Sequence, residues 1–319
     1  MVGIVTALYD IAPGLLLPHE RLSTLKAEIE AAHLKFNVIE SLPVSEDIKL
    51  GRSNRDELID VYRQNVRRLG EIGIEVICYN FMPLFDWYRT DLAFELPDGS
   101  NAMSYDHNQL DDTPDPWEAN LPAYFPLGAS PDAIKDAYRA IGEDDLRANL
   151  KYFLEGVCPA AEAVGIKMAI HPDDPPWSIF DLPRIVKNEM DLANILAMVD
   201  SPANGLTFCT GSLGANPEND LPTMIRRFGE RIYFAHCRNI KITGEKQFHE
   251  TAHPARYGHI DMTAVMQAYA DIDFSGPMRP DHGRMIWGES GIPGYGLYDR
   301  ALGATYLLGL WDGLTANRR

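Results

Sequence analysis

Four side chains able to bind a metal stand at the ends of four apolar runs in this 319-residue chain. His171 closes the run from Lys167 to Ile170, Cys209 closes Gly205 to Phe208, and His236 closes Arg231 to Ala235. Asp281 ends the short run that begins at Met278. Two imidazoles, one thiolate and one carboxylate suit a divalent transition metal. Singly, each has an ordinary explanation: a buried cysteine commonly serves as a small hydrophobe, and a lone histidine is commonly just hydrogen-bonded. Their shared position, each at the same end of a strand-like run, argues for a common centre. Neighbouring strand residues face opposite ways, so if His236 points inward Cys237 points out. Cys209 is then the sulfur ligand, while Cys78 and Cys158 belong to the core.

Proton-transfer groups lie close in sequence. His282 follows Asp281 directly, and Tyr295 and Tyr298 sit in the glycine-rich stretch 291–298, whose glycines allow tight turns. Histidine and tyrosine both suit acid/base work, although a packed aromatic is an equal reading of either tyrosine. Arg238, Asn239 and Arg284 are candidates for holding a substrate carboxylate, because arginine offers a planar fork of donors. Asp173 and Asp174 lie in a proline-rich loop from His171 to Trp177, where turn formation is the expected duty and contact with the metal or with sugar hydroxyls the alternative.

The elements that must position these groups alternate between short β-rich runs and helical patterns, which predicts parallel βαβ units. Strands are expected at 3–8, 36–40, 75–81, 167–171, 205–210, 231–236 and 278–281. Helices are expected near 20–34, 58–69, 146–164, 185–199, 221–228, 262–269 and 298–314. Ser53 to Asp56 has capping-box form ahead of the second of these helices. No strand is followed by a glycine-rich dinucleotide or phosphate loop. An α/β barrel of the TIM type is therefore favoured, since strand C-termini converge on one face there. Residues 1–319 read as one barrel domain with a long insert after the third strand, roughly 86–143. The insert is rich in Pro, Asp, Asn and aromatics (Tyr88, Phe94, Tyr105, Trp117, Tyr124, Phe125), and is expected to act as a lid or an oligomer arm.

Composition narrows the function classes. The net charge of −17 disfavours nucleic acid and anionic membranes as partners and obliges any anion site to supply a local cation. Four cysteines without a C-x-x-C pair suggest reduced thiols. The apolar run after Met1 has no preceding basic residue and reads as a strand, not a leader. A cytoplasmic enzyme, as a homo-oligomer, is the expectation.

The segments His171–Trp177 (HPDDPPW), Phe208–Ser212 (FCTGS), Ala235–Asn239 (AHCRN), Pro280–Arg284 (PDHGR) and Gly294–Arg300 (GYGLYDR) resemble the signature segments of mannonate dehydratases. The resemblance runs over nearly the whole chain from Gly3. It implies a xylose-isomerase-like barrel, a Mn²⁺-type cofactor (Fe²⁺ or another divalent transition metal being the alternatives), and conversion of D-mannonate to 2-keto-3-deoxy-D-gluconate in hexuronate breakdown. It also implies His171, Cys209, His236 and Asp281 as ligands, with His282 and Tyr295 as the acid/base pair. Family members usually begin with a further strand and helix. Seven strands are counted here where a closed barrel uses eight, so either an eighth carries no clear signal or the first βα unit is lacking. Two other readings stand beside this one. A metal-dependent sugar isomerase or epimerase on the same barrel would need paired carboxylates, for which Glu40 and Glu289 are the candidates. A degenerate, non-catalytic sugar-acid-binding protein is the other.

Overall fold

The computed structural model describes residues 2–110 and 131–316. In chain order its strands are β1 (Gly3–Thr6), β2 (Lys35–Glu40), β3 (Val76–Tyr79), β4 (Asp91–Glu95), β5 (Asn101–Asp106) and β6 (Lys167–Ile170). They continue as β7 (Asn204–Cys209), β8 (Ile232–His236), β9 (Ile240–Gly244), β10 (Gln247–Glu250) and β11 (Met278–Arg279). Two compact units emerge. Among the described residues the first comprises 2–86, 131–173 and 177–207, and the second 87–110, 174–176 and 208–316.

In the first unit, β1, β2, β3, β6 and β7 run parallel, each hydrogen-bonded to the next. β3 reads Val-Ile-Cys-Tyr, and all four residues are buried. A strand covered on both faces needs a continuous apolar run rather than alternation, which is why this segment looks as it does. The helices Arg55–Glu71 and Glu143–Ala163 bury stripes at three- and four-residue steps, Ile59, Tyr62, Val66 and Leu69 on one, Leu146, Leu150, Leu154 and Val157 on the other. Tyr62 meets Phe153 edge-to-face at 4.9 Å. The expected capping box fails. Asn54 makes no side-chain cap bond, and its amide donates to Asp47 instead at 2.8 Å.

In the second unit β8 and β11 are parallel, with Arg279 opposite His236. The same unit holds an antiparallel sheet of order β4-β5-β10-β9 that the sequence reading did not foresee. Two of its strands fall inside the segment read as an irregular insert, and the other two follow His236. Their alternation is blurred because β4 is mostly exposed and both pairings containing it or β9 carry register irregularities. The stacked rings of Tyr105 and Phe248, 5.6 Å apart, lock β5 to β10. The middle of the expected lid, including Trp117, Tyr124 and Phe125, lies outside the described residues. The parallel strands among the described residues are the same seven runs read from the sequence, most of them shorter by one or more residues.

Candidate active site

Each sequence-predicted ligand sits where a parallel strand ends. Cys209 is the last residue of β7, and its sulfur accepts from Ser212 N at 3.5 Å and from Ser212 Oγ at 3.3 Å. His236 is the last residue of β8, fully buried. Asp281 follows β11 and lies between them: Oδ2 is 3.7 Å from Cys209 Sγ, and Oδ1 is 3.6 Å from His236 Nδ1. Asp281 holds φ at +65°, a left-handed conformation that costs a non-glycine residue and tends to persist at functional positions. Arg279 donates to Asp281 Oδ1 at 2.6 Å. Burial opposes ionisation of Asp281, but His282, His236, Arg279 and Arg238 outweigh it and hold the carboxyl well below its usual range. It is therefore an anion ready to coordinate. Burial pushes the Cys237 thiol up, and Cys209 and Asp281 push it further, so Cys237 stays a thiol. His171 follows β6 in the first unit. Its Nδ1 lies 2.7 Å from the Pro172 carbonyl, and an Nδ1–H donated there fixes the tautomer and orientation of the ring.

Beside these groups the second unit buries a charge network. Arg89 donates to both oxygens of Asp174, at 2.8 and 3.0 Å, and to Glu250 Oε1 at 3.0 Å. Arg238 reaches Asp174 Oδ2 at 2.6 Å, Ser212 Oγ at 2.9 Å and Glu250 Oε1 at 3.4 Å. Burial opposes the charged form of Asp174 and of Glu250. The two guanidinium groups overcome it at Asp174, and His282 with both arginines does so at Glu250, so both carboxyls stay below their ordinary range. Room for Arg238 exists because residue 211 is glycine; a Cβ there would stand 2.0 Å from Arg238 Nε. His282 packs against this network, with Nδ1 2.7 Å from Glu250 Oε1 and 2.9 Å from Arg238 Nη1.

The loop that brings the phenol in depends on Gly294. Its φ is +80°, and a Cβ there would collide with Met103 Cε at 2.3 Å. The turn is pinned by Gly283 N donating to Gly294 O at 2.8 Å. It sets the Tyr295 ring 5.1 Å from the His282 ring, with Trp87 at 5.7 Å on that imidazole. Tyr298 is instead half-exposed and packs on Trp287.

The second unit thus brings together Cys209, His236, Arg238, Asp281, His282 and Tyr295. Two expected substrate contacts are otherwise engaged. Asn239 Nδ2 faces the carbonyls of Ala252, His253 and Pro254, and its Oδ1 accepts from Ile260 N, so it shapes a loop. Arg284 is held by Asp299 on two nitrogens and by Asp98 at 2.6 Å. Glu289, a candidate for a second carboxylate site, accepts from Leu297 N at 2.6 Å at the start of the last helix. Arg89, Asp174 and Glu250 are the members that sequence reasoning missed; only the Asp173-Asp174 pair carried a signal, and it read as a turn.

Comparisons with known proteins show the family of the chain. A family model described as D-mannonate dehydratase (UxuA) matches residues 1–319. Mannonate dehydratase 2 of Halalkalibacterium halodurans is 54% identical over 321 residues, covering 99% of this chain and 93% of that protein. The crystal structure of mannonate dehydratase from Streptococcus suis serotype 2 superposes with a TM-score of 0.91 at 46% identity, covering 100% of this chain and 89% of that one. A xylose isomerase-like TIM barrel protein from Mycobacterium smegmatis gives a TM-score of 0.53 at 13% identity, over 93% and 80% of the two chains, which speaks to fold alone. The fold is thus α/β of the TIM-barrel class.

Proposed function

Since this chain belongs to the D-mannonate dehydratase family, we propose that the buried cluster around Asp281 is the centre at which D-mannonate loses water to give 2-keto-3-deoxy-D-gluconate, a step of hexuronate breakdown. The enzyme is a hydro-lyase. The observation that carries the site reading is Asp281, ionised and left-handed in backbone, within 4 Å of both Cys209 and His236 and adjacent in sequence to His282.

The donor set fits a divalent transition metal. A cysteine sulfur, an imidazole and a carboxylate converge in a buried place, and Arg279 and Arg238 tie down the carboxylate's orientation. We assign Cys209, His236, Asp281 and His171 to hold the ion, and take Mn²⁺ as its identity, with Fe²⁺ the alternative. When bound it would act as a Lewis acid toward the substrate carboxylate, where charge builds as the C2 proton leaves. The remaining chemistry falls to side chains. One of His282 and Tyr295 takes the C2 proton, and the other protonates the C3 hydroxyl as it departs. The enol so formed gains a proton at C3 and gives up the one on its C2 oxygen, becoming the ketone. Trp87 over His282 keeps one side of that imidazole dry. The terminal nitrogens of Arg238, the Asn239 amide and the Arg284 guanidinium donate within the protein, and we read these residues as holding the machinery in shape rather than gripping substrate.

No helix among the described residues is long and apolar enough to cross a membrane. Four buried cysteines suit the cytoplasm, and the exposed Trp287, Ile292, Leu297 and Tyr298 suit a homo-oligomer. The decisive assay follows mannonate loss and product identity with and without Mn²⁺. A keto-deoxy acid formed only with metal is the expected result. A rearranged sugar acid would point to an isomerase, and no turnover under any metal to a binding protein.

A further inference from the structure

We propose that Glu250 is the positioning residue that sets the tautomer of His282, in competition with Arg238. The inference rests on His282 being half of the acid/base pair. Its Nδ1 faces two groups with opposite demands. Glu250 Oε1, at 2.7 Å, accepts and so requires a proton on Nδ1. Arg238 Nη1, at 2.9 Å, can only donate and so requires Nδ1 to be bare. Both cannot be satisfied at once. The carboxylate wins: it is the closer partner, and Arg89 Nη2 and Arg238 Nη1 fix Oε1 at 3.0 and 3.4 Å. Arg238 loses little, because Asp174 and Ser212 already take its other terminal nitrogen.

In the neutral form of the imidazole, a proton on Nδ1 keeps the lone pair on Nε2, where it can accept a proton. Remove the carboxylate, and Arg238 becomes the sole partner of Nδ1. It then donates there and drives the proton to Nε2, with no change in charge but with the acceptor lost. A carboxylate that fixes the tautomer of a catalytic imidazole in this way is worth up to ~10⁴-fold in turnover.

The test uses Glu250→Ala and Glu250→Gln in the metal-loaded enzyme. Expected are a fall in kcat of roughly 10²–10⁴ for the alanine variant and a smaller one for glutamine, with KM and metal content within about twofold of wild type. The second readout is ¹⁵N NMR of histidine-labelled protein, the His282 signals being assigned by their loss in His282→Asn. Wild type should show the Nδ1–H form and Glu250→Ala the Nε2–H form. Wild-type kcat in Glu250→Ala, or an unchanged tautomer in both variants, would overturn the proposal. Full turnover in His282→Asn would instead defeat the acid/base assignment, while the tautomer spectra would still decide the role of Glu250.

Discussion

Arg89 and Arg238 converge on a single carboxylate oxygen, Asp174 Oδ2, at 3.0 and 2.6 Å, and all three side chains are buried. Taking away one partner of a buried ion pair leaves the other charge without compensation, which costs about 3–5 kcal/mol. Asp174→Ala leaves the two guanidinium groups sharing Glu250 as their remaining carboxylate. It should lose about that much in urea unfolding at neutral pH, or fail to accumulate as soluble protein. A loss under about 1 kcal/mol would mean that the pairs contribute no more than surface ones do.

Asp281→Ala and His236→Ala should each lose bound metal and activity together. Changes in groups that only orient ligands typically cost ~10–100-fold, so removing a ligand should exceed that. Elemental analysis of the purified variants decides it; full occupancy in both would move the centre elsewhere.

Tyr295→Phe and His282→Asn should retain metal and fold but turn over ~10²–10⁴-fold more slowly. If Tyr295→Phe runs at the wild-type rate, the loop built on Gly294 has a packing role only.

Glu143 gives a pH signature far from the chemistry. It begins the Glu143–Ala163 helix and pairs with Lys187 at 2.5 Å and Arg147 at 2.7 Å. Burial disfavours its charge, but the Lys187 and Arg147 pairings prevail and lower its pKa below the ordinary glutamate value. A depressed folded value contributes stability above the unfolded value of about 4.3, and that stability is lost as pH falls from there through the folded value. The group is partly solvated, so the contribution is screened to about 0.2–1 kcal/mol. Glu143→Gln should therefore be less stable than wild type at pH 7, and the gap should close below pH 4. A gap that persists at pH 3 would assign the effect to packing.

Legibility in the sequence followed physical type. β3, β6 and β7 announced themselves because burial on both faces demands apolar runs, and His171, Cys209, His236 and Asp281 stood out as polar residues ending strand-like runs. Glu250 had no comparable flag. It ends a four-residue strand whose partners, β5 and β9, are respectively about 145 residues away and irregular in register. Arg89 sat in a stretch without periodicity, and Asp174 looked like half of a turn. Their roles arise only from pairing across long separations, such as the 161 residues between Arg89 and Glu250, which local pattern does not encode. Asn239 and Arg284 show the reverse case. Residue type suggested ligand contact, and nearby carbonyls and carboxylates claimed them first.

Glu250 comes from the antiparallel sheet, whereas His282 follows a strand of the parallel set. That division matters to anyone who would transplant or redesign parts of this enzyme. The period of a strand is two residues, so a single insertion in the turn between β9 and β10 that slipped the register by one would swing Glu250 to the opposite face. Every metal ligand would remain in sequence and place. A chimaera that exchanged residues 87–106 or 240–250 for a differently registered sheet would then bind its metal normally and yet be inert. The two strand systems are inherited as one working unit, and a library that varies either alone is searching mostly among silent metalloproteins.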